Sequence, residues 1–287
     1  MPASKVEGVL EATRIPTEFG TFDALTSGEP GGREVMLLHG FPESAIAWEF
    51  QLAALGGGGC HVIAPDQRGY SSDVRPENVA DYRVEELVTD VIAIADQLGW
   101  QRFDLVGHDL GAHVAWTVAA DHPARIRTMT AVSQPHPTAF LQAMIEDEDQ
   151  AQRAQHFTYF RQPRSPERAL LADDAAALRK IFDWKIPEER IDDYIYRLTR
   201  PDALTAALNW YRAFPLAGPT ASITVPTLYI WGTEDPTIAP TAALATASHV
   251  TAPYRFEMLE DTSHWLPEEA PESLTRLLMQ HLLAHRS

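Results

Sequence analysis

From residue 34 onward the sequence alternates short apolar runs with longer amphipathic ones: EVMLLHG at 34–40, ESAIAWEFQLAAL, CHVIAPD at 60–66, VEELVTDVIAIADQLG, FDLVGHD at 103–109, AHVAWTVAADHP and IRTMTAVS at 126–133. A strand that is apolar at nearly every position must be buried on both faces, which happens inside a sheet covered by helices on each side. The pattern predicts an α/β fold with a mostly parallel sheet and helices on both faces.

The pattern breaks after residue 134. From Pro135 to Pro215 there are only helix-like segments, such as PERALLADDAAALRKIF and PEERIDDYIYRLT, several opening with a proline at a first helical position. Strand runs return as PTLYIWG at 226–232 and YRFEMLE at 254–260, and a helix is expected at about 271–284. The expected organisation is a core over 1–134 and 216–287, interrupted by a helical cap over 135–215. A chain of 287 residues, 45% hydrophobic, suffices for one large core.

With 23 basic and 40 acidic residues the formal net charge is −17, which repels nucleic acid and anionic membranes alike. Cys60 is the only cysteine, so a disulfide framework and a thiolate metal cluster are excluded. The opening MPASKVEGVLEATRIP has charges where a signal peptide needs an apolar stretch, and no run is long enough to span a bilayer. A soluble cytoplasmic protein is expected. There is no H-E-x-x-H among the 11 histidines and no dinucleotide fingerprint, so neither metal nor cofactor is expected.

The strand FDLVGHD runs straight into a helix through Gly107, His108, Asp109, Leu110 and Gly111. This is the G-x-nucleophile-x-G elbow with aspartate at its centre. The simpler reading of Asp109 is a helix cap. An elbow, however, requires an acid and then a histidine downstream at strand ends, and Asp235 follows PTLYIWG while His264 follows YRFEMLE. Glu234 stands beside Asp235, and either carboxylate could orient the imidazole. The turn after EVMLLHG brings Phe41, whose N–H with that of Leu110 would form an oxyanion hole; a cis bond before Pro42 is left open. The neighbours His39, Pro42, His108, Trp210 and Trp265 are the expected lining of a substrate pocket.

Carboxylate attack on an ester carbonyl gives an anhydride, an unfavourable route, whereas attack on an sp3 carbon gives an ordinary ester that water can open with His264 as general base. A halide leaving group calls for indole N–H donors beside the nucleophile. An epoxide oxygen calls for an acid such as tyrosine.

HGFPES at 39–44, DQRGYS at 66–71, GHDLGA at 107–112, the helical insertion and the WGTED and TSHW segments together resemble the epoxide hydrolases of the α/β-hydrolase superfamily over essentially the whole chain. The resemblance implies a small-molecule epoxide substrate and, through YFRQP at 159–163 and LNWYRA at 208–213, two acid tyrosines, Tyr159 and Tyr211. One departure is Leu110, where the family usually has tryptophan. Its absence reshapes the pocket floor and counts against a haloalkane dehalogenase; Leu110, Gly111 and Ala112 likewise lack the arginine usual in haloacetate dehalogenases. A non-catalytic ligand-binding protein on the same fold is the alternative from another class.

Overall fold

The computed structural model describes residues 8–182, 185–214 and 220–285. Eight strands form one sheet: β1 (Glu11–Thr17), β2 (Gly20–Ser27), β3 (Arg33–Leu38), β4 (Cys60–Pro65), β5 (Phe103–His108), β6 (Ile126–Val132), β7 (Thr227–Gly232) and β8 (Tyr254–Leu259), in spatial order β1-β2-β4-β3-β5-β6-β7-β8. From β4 to β8 all pairings are parallel; β1 with β2 and β2 with β4 are antiparallel. The expected α/β architecture is therefore present, with an additional amino-terminal hairpin that the sequence reading did not assign to strands. β1 is an edge strand, largely exposed, and carries Pro16, so it lacks the apolar signal of a central strand.

Apolar residues on both sides of each pleat explain the central strands. Val35 and Leu37 of β3 face a core completed by α1 (Glu49–Gly57), while Met36 and Leu38 face the opposite core with α2 (Val84–Gln97) and α3 (Leu110–Asp121). Between β6 and β7 the described residues form helices and no named strand: α4 (Pro137–Glu146), α5 (Glu148–Arg153), α6 (Gln155–Phe160), α7 (Ser165–Ile181, broken at 172–175), α8 (Glu188–Leu198) and α9 (Ala203–Ala213). The expected boundary at 215/216 lies outside the described residues. α10 (Pro240–Ala245), α11 (Leu266–Glu269) and α12 (Pro271–Ala284) complete the chain, α12 covering the same face as α1.

A broad cleft lined by Arg33, Cys60, Arg127 and Leu282 opens at the amino ends of the strands. The loops that carry chemistry leave the carboxyl ends, on the other side of the sheet, so this cleft takes no part in the site below.

Candidate active site

β5 passes into α3 through Asp109, which adopts φ 50°, ψ −125°. Such a conformation is strained for any residue with a side chain, and close packing enforces it. A Cβ on Gly107 would strike the backbone of Gly111, and one on Gly111 would strike the carbonyl oxygens of Leu38 and His39. Asp109 stands at the N-cap position of α3, yet its side chain makes no capping hydrogen bond. The turn instead lifts the carboxylate out of the sheet.

The two carboxylate oxygens have different partners. Oδ1 accepts a hydrogen bond from the Phe41 N–H at 2.9 Å, and Oδ2 lies 3.3 Å from Nε2 of His264. Gly40 makes the approach possible, because a Cβ there would collide with the Asp109 side chain. The Phe41–Pro42 peptide is cis. Burial alone would raise the Asp109 pKa, but the hydrogen bond and charge of His264, helped by His108 and the Leu110 N–H, hold the carboxyl below its usual range. Asp109 is therefore an anion over the working pH range.

His264 is buried, with Nδ1 2.8 Å from Oδ2 of Asp235. Burial opposes a charge on this ring, but Asp235 and Asp109, by charge and hydrogen bonding, outweigh it and raise the imidazole well above its ordinary value of 6.5. The other Asp235 oxygen accepts from Thr237 N and Oγ1, both at 2.7 Å, and from Ile238 N at 3.1 Å. This leaves Oδ2 aimed at the histidine. Glu234, the rival carboxylate, pairs with Lys185 at 3.4 Å and is half-exposed.

The acid loop is also tied to α5. Gln150, fully buried, donates to Thr237 O at 2.9 Å and accepts from Ala239 N at 2.8 Å, while Arg153 Nη1 donates to Asp235 O at 2.5 Å.

The chain can now be set beside known proteins. Epoxide hydrolase A of Mycobacterium tuberculosis is 34% identical, the match covering 89% of this chain and 92% of the relative. AB hydrolase superfamily protein YfhM of Bacillus subtilis is 32% identical, with 91% and 94% covered. Among solved structures, epoxide hydrolase A from Mycobacterium thermoresistibile superposes with a TM-score of 0.85 at 28% identity, covering 96% of this chain and 98% of that one. Residues 34–271 match the family model described as alpha/beta hydrolase fold. The chain belongs to the α/β-hydrolase fold family.

Other predicted residues of this α/β-hydrolase divide into those facing the carboxylate and those that do not. Tyr211 on α9 is buried, its ring edge-on to Phe41 at 5.3 Å; burial first, then the charge of Asp109, raise its phenol well above 10. Trp210 donates its indole N–H to Arg68 O at 2.9 Å and, with Leu110, His113 and Phe214, borders a small cleft beside the elbow. Trp265 packs edge-on against His264 at 5.0 Å and is backed by Phe182.

Tyr159 is partly buried with its ring tilted against that of Phe160 at 5.9 Å, and it is the His156 ring, one turn earlier on α6, that lies 6.1 Å from that of Tyr211. Two expectations need correction. His39 is fully buried with both ring nitrogens engaged, Nδ1 with Gly40 O at 2.9 Å and Nε2 with Gln67 N at 3.2 Å, so it braces the loop rather than facing substrate. His108 is also spent within the protein, Nδ1 on Glu43 at 2.7 Å and Nε2 on His264 O at 2.8 Å. Both histidines adjoin functional residues in sequence, but their ring nitrogens are taken up by partners inside the protein.

The sequence reading missed Thr237, Glu43 and Tyr70. Tyr70 lies edge-on to His39 at 4.5 Å, with burial and then Asp109 raising its phenol well above 10. Its presence inside DQRGYS was the available signal. Among the described residues no cluster of His, Cys, Asp or Glu is arranged to hold a metal ion.

Proposed function

We propose that this hydrolase opens an epoxide to a vicinal diol through an alkyl ester on Asp109, which water activated by His264 then cleaves. The observation that carries this reading is the asymmetric carboxylate: Oδ1 rests on the Phe41 N–H, and Oδ2 is held toward His264. The relatives named epoxide hydrolases, 34% identical in the Mycobacterium tuberculosis case, support the same chemistry.

In the first step Oδ2 bonds to an epoxide carbon, the carbon–oxygen bond of the ring breaks, and the departing oxygen takes the proton of Tyr211. The raised phenol pKa keeps that proton in place until an alkoxide, a stronger base than phenolate, develops. Ester formation removes the charge of Asp109, and with it part of what holds the proton on His264. That proton is released and Tyr211 is reprotonated, so the imidazole becomes a base. Water then attacks the ester carbon while His264 takes its proton. Negative charge collects on Oδ1, against the Phe41 and Leu110 N–H groups, in a hole whose donors contribute roughly 3–4 kcal/mol each in comparable sites. Collapse frees the diol and restores the carboxylate beside an imidazolium.

The helices between β6 and β7 serve in this reading as the cap that supplies Tyr211. A cytoplasmic setting accords with a single cysteine, Cys60, whose thiol is pushed up by burial. No helix of the described residues is long and apolar enough to cross a membrane.

The test is a single-turnover incubation in heavy-oxygen water with terminal and internal epoxides, haloalkanes and haloacetates. Diol whose first-turnover oxygen comes from the protein is expected. Halide without diol would assign a dehalogenase, and an unchanged, tightly held ligand would assign a binding protein.

A further inference from the structure

We propose that the free edge of β8 is a docking surface for a second copy of this chain, the two β8 strands pairing antiparallel about a two-fold axis at Phe256.

The sheet ends at β1 on one side and at β8 on the other. An edge strand leaves a row of main-chain donors and acceptors open to any other strand, and proline is one of the residues that blunt such a row. β1 is blunted by Pro16; β8, with the sequence YRFEML, has no proline. β7 is buried at every position, whereas no residue of β8 is, and Met258 is 49% exposed. The outer side of β8 has no strand beside it among the described residues.

Which groups face outward follows from the ladder to β7. Thr227 N–H donates to Pro253 O at 2.9 Å and Thr233 N–H to Leu259 O at 3.0 Å, in continuous parallel register. Main-chain groups alternate sides along a strand, so those of Arg255 and Glu257 face β7, and those of Tyr254, Phe256 and Met258 face away. The side chains alternate between the two faces of the sheet. Phe256 stacks on Tyr229 at 5.2 Å, while Arg255 reaches Gln280 of α12 at 3.2 Å and Glu257 at 2.6 Å. Arg255 and Glu257 therefore lie side by side on the α12 face, one positive and one negative.

A second β8 running antiparallel, with Phe256 opposite Phe256 of the partner subunit, matches these groups throughout. Phe256 exchanges its main-chain bonds with the partner's Phe256, and Tyr254 does so with the partner's Met258. Arg255 then stands opposite the partner's Glu257 in a non-hydrogen-bonded pair, the kind in which side chains come closest. The charges fix the register. Moving the axis by one residue either way sets Arg255 against its own copy or Glu257 against its own copy, and like charges directly opposite each other are unfavourable. A strand with charges of one sign would refuse a second copy of itself; this strand accepts one. The arrangement is two-fold and closed, so it stops at two chains.

Sedimentation velocity on the full chain over a range of concentrations tests this. The wild type is expected to reach the mass of two chains. Arg255→Glu and Glu257→Arg each place like charges opposite one another and should raise the dissociation constant by about tenfold or more. An equimolar mixture of these two variants restores opposite charges at both pairs, and a heterodimer is expected, identified by a tag on one of them. Met258→Pro removes an outward N–H, leaves the ladder to β7 intact and should give a single chain. A wild type that sediments as one chain at every concentration would overturn the proposal. So would variants that dimerise as the wild type does, or a mixture that associates no better than its components.

Discussion

Asp109 and His264 face each other at 3.3 Å as an ion pair in a buried site, the carboxyl held below its usual range and the imidazole well above its own. Each stabilises the charged form of the other. In the proposed reaction the resting site thus has its nucleophile ionised and its future base still protonated, and alkylation of Asp109 would be what releases the base.

Replacing His264 by glutamine should therefore separate the two steps. Attack by Asp109 needs no base, whereas ester hydrolysis does, so His264→Gln is expected to stop after one turnover with substrate attached to the protein. Intact-mass spectrometry would read the adduct; an unmodified chain after incubation with a substrate that the wild type turns over would contradict the sequence of steps.

The two tyrosines should behave differently. Tyr211→Phe removes a buried hydroxyl facing the carboxylate and is expected to slow ester formation by about a hundredfold or more, the usual range for a lost general acid. Tyr159→Phe should change it by less than about twofold, as expected for a group with no part in the acid–base chemistry. Stopped-flow alkylation rates for both variants would decide the matter.

Asp109→Asn should lower the His264 pKa, since one of the two carboxylates that raise it is lost while burial still lowers it. In the wild type the His264 contribution to stability is complete below about pH 6.5 and is lost as pH rises through the higher folded value. In the variant that loss should be smaller and complete at a lower pH. Imidazole NMR titration, paired with melting curves across pH, gives both quantities.

Glu268 offers the opposite sign. Burial first, and the charge of Glu43 second, push its carboxyl up to about 9 from 4.5, although Tyr194 donates to it at 2.9 Å and Arg190 lies at 3.2 Å. A folded state that holds a proton more tightly than the unfolded chain loses stability as pH rises between those two values. Glu268→Gln is expected to raise stability by about 1 kcal/mol or more at pH 7, with a gap that widens from pH 5 to pH 8. Equal melting-temperature differences at the two pH values would show that Glu268 is ionised in the fold.

The central sheet was legible because two buried faces leave unbroken apolar runs, as in Val35–Leu38 and Phe103–Val106. The β1–β2 hairpin was not, because one side of an edge strand is solvated and its residues are mixed. For the site, glycine spacing marked the turn around Asp109, and strand ends marked Asp235 and His264. The direction in which a side chain points was harder to read. His39 and His108 adjoin the site in sequence and turn into the protein, and on α6 the motif resemblance marked Tyr159, whereas the ring that lies beside Tyr211 is that of His156. A hydrogen-bonding partner such as Thr237 carries no sequence signature, since what selects it is distance across loops.

Gln150 bonds both ways to the loop that carries Asp235, and Arg153 adds a third bond from the same helix. The insertion and the loop of Asp235 are thus not separable modules. A chimera that borrowed the helices of a relative to change substrate range would inherit a different clasp on the carboxylate that the proposed reaction uses to orient His264, and its turnover would suffer even if its pocket were ideal. Successful transplants should be those that carry residues 150 and 153 with their loop partners as one unit.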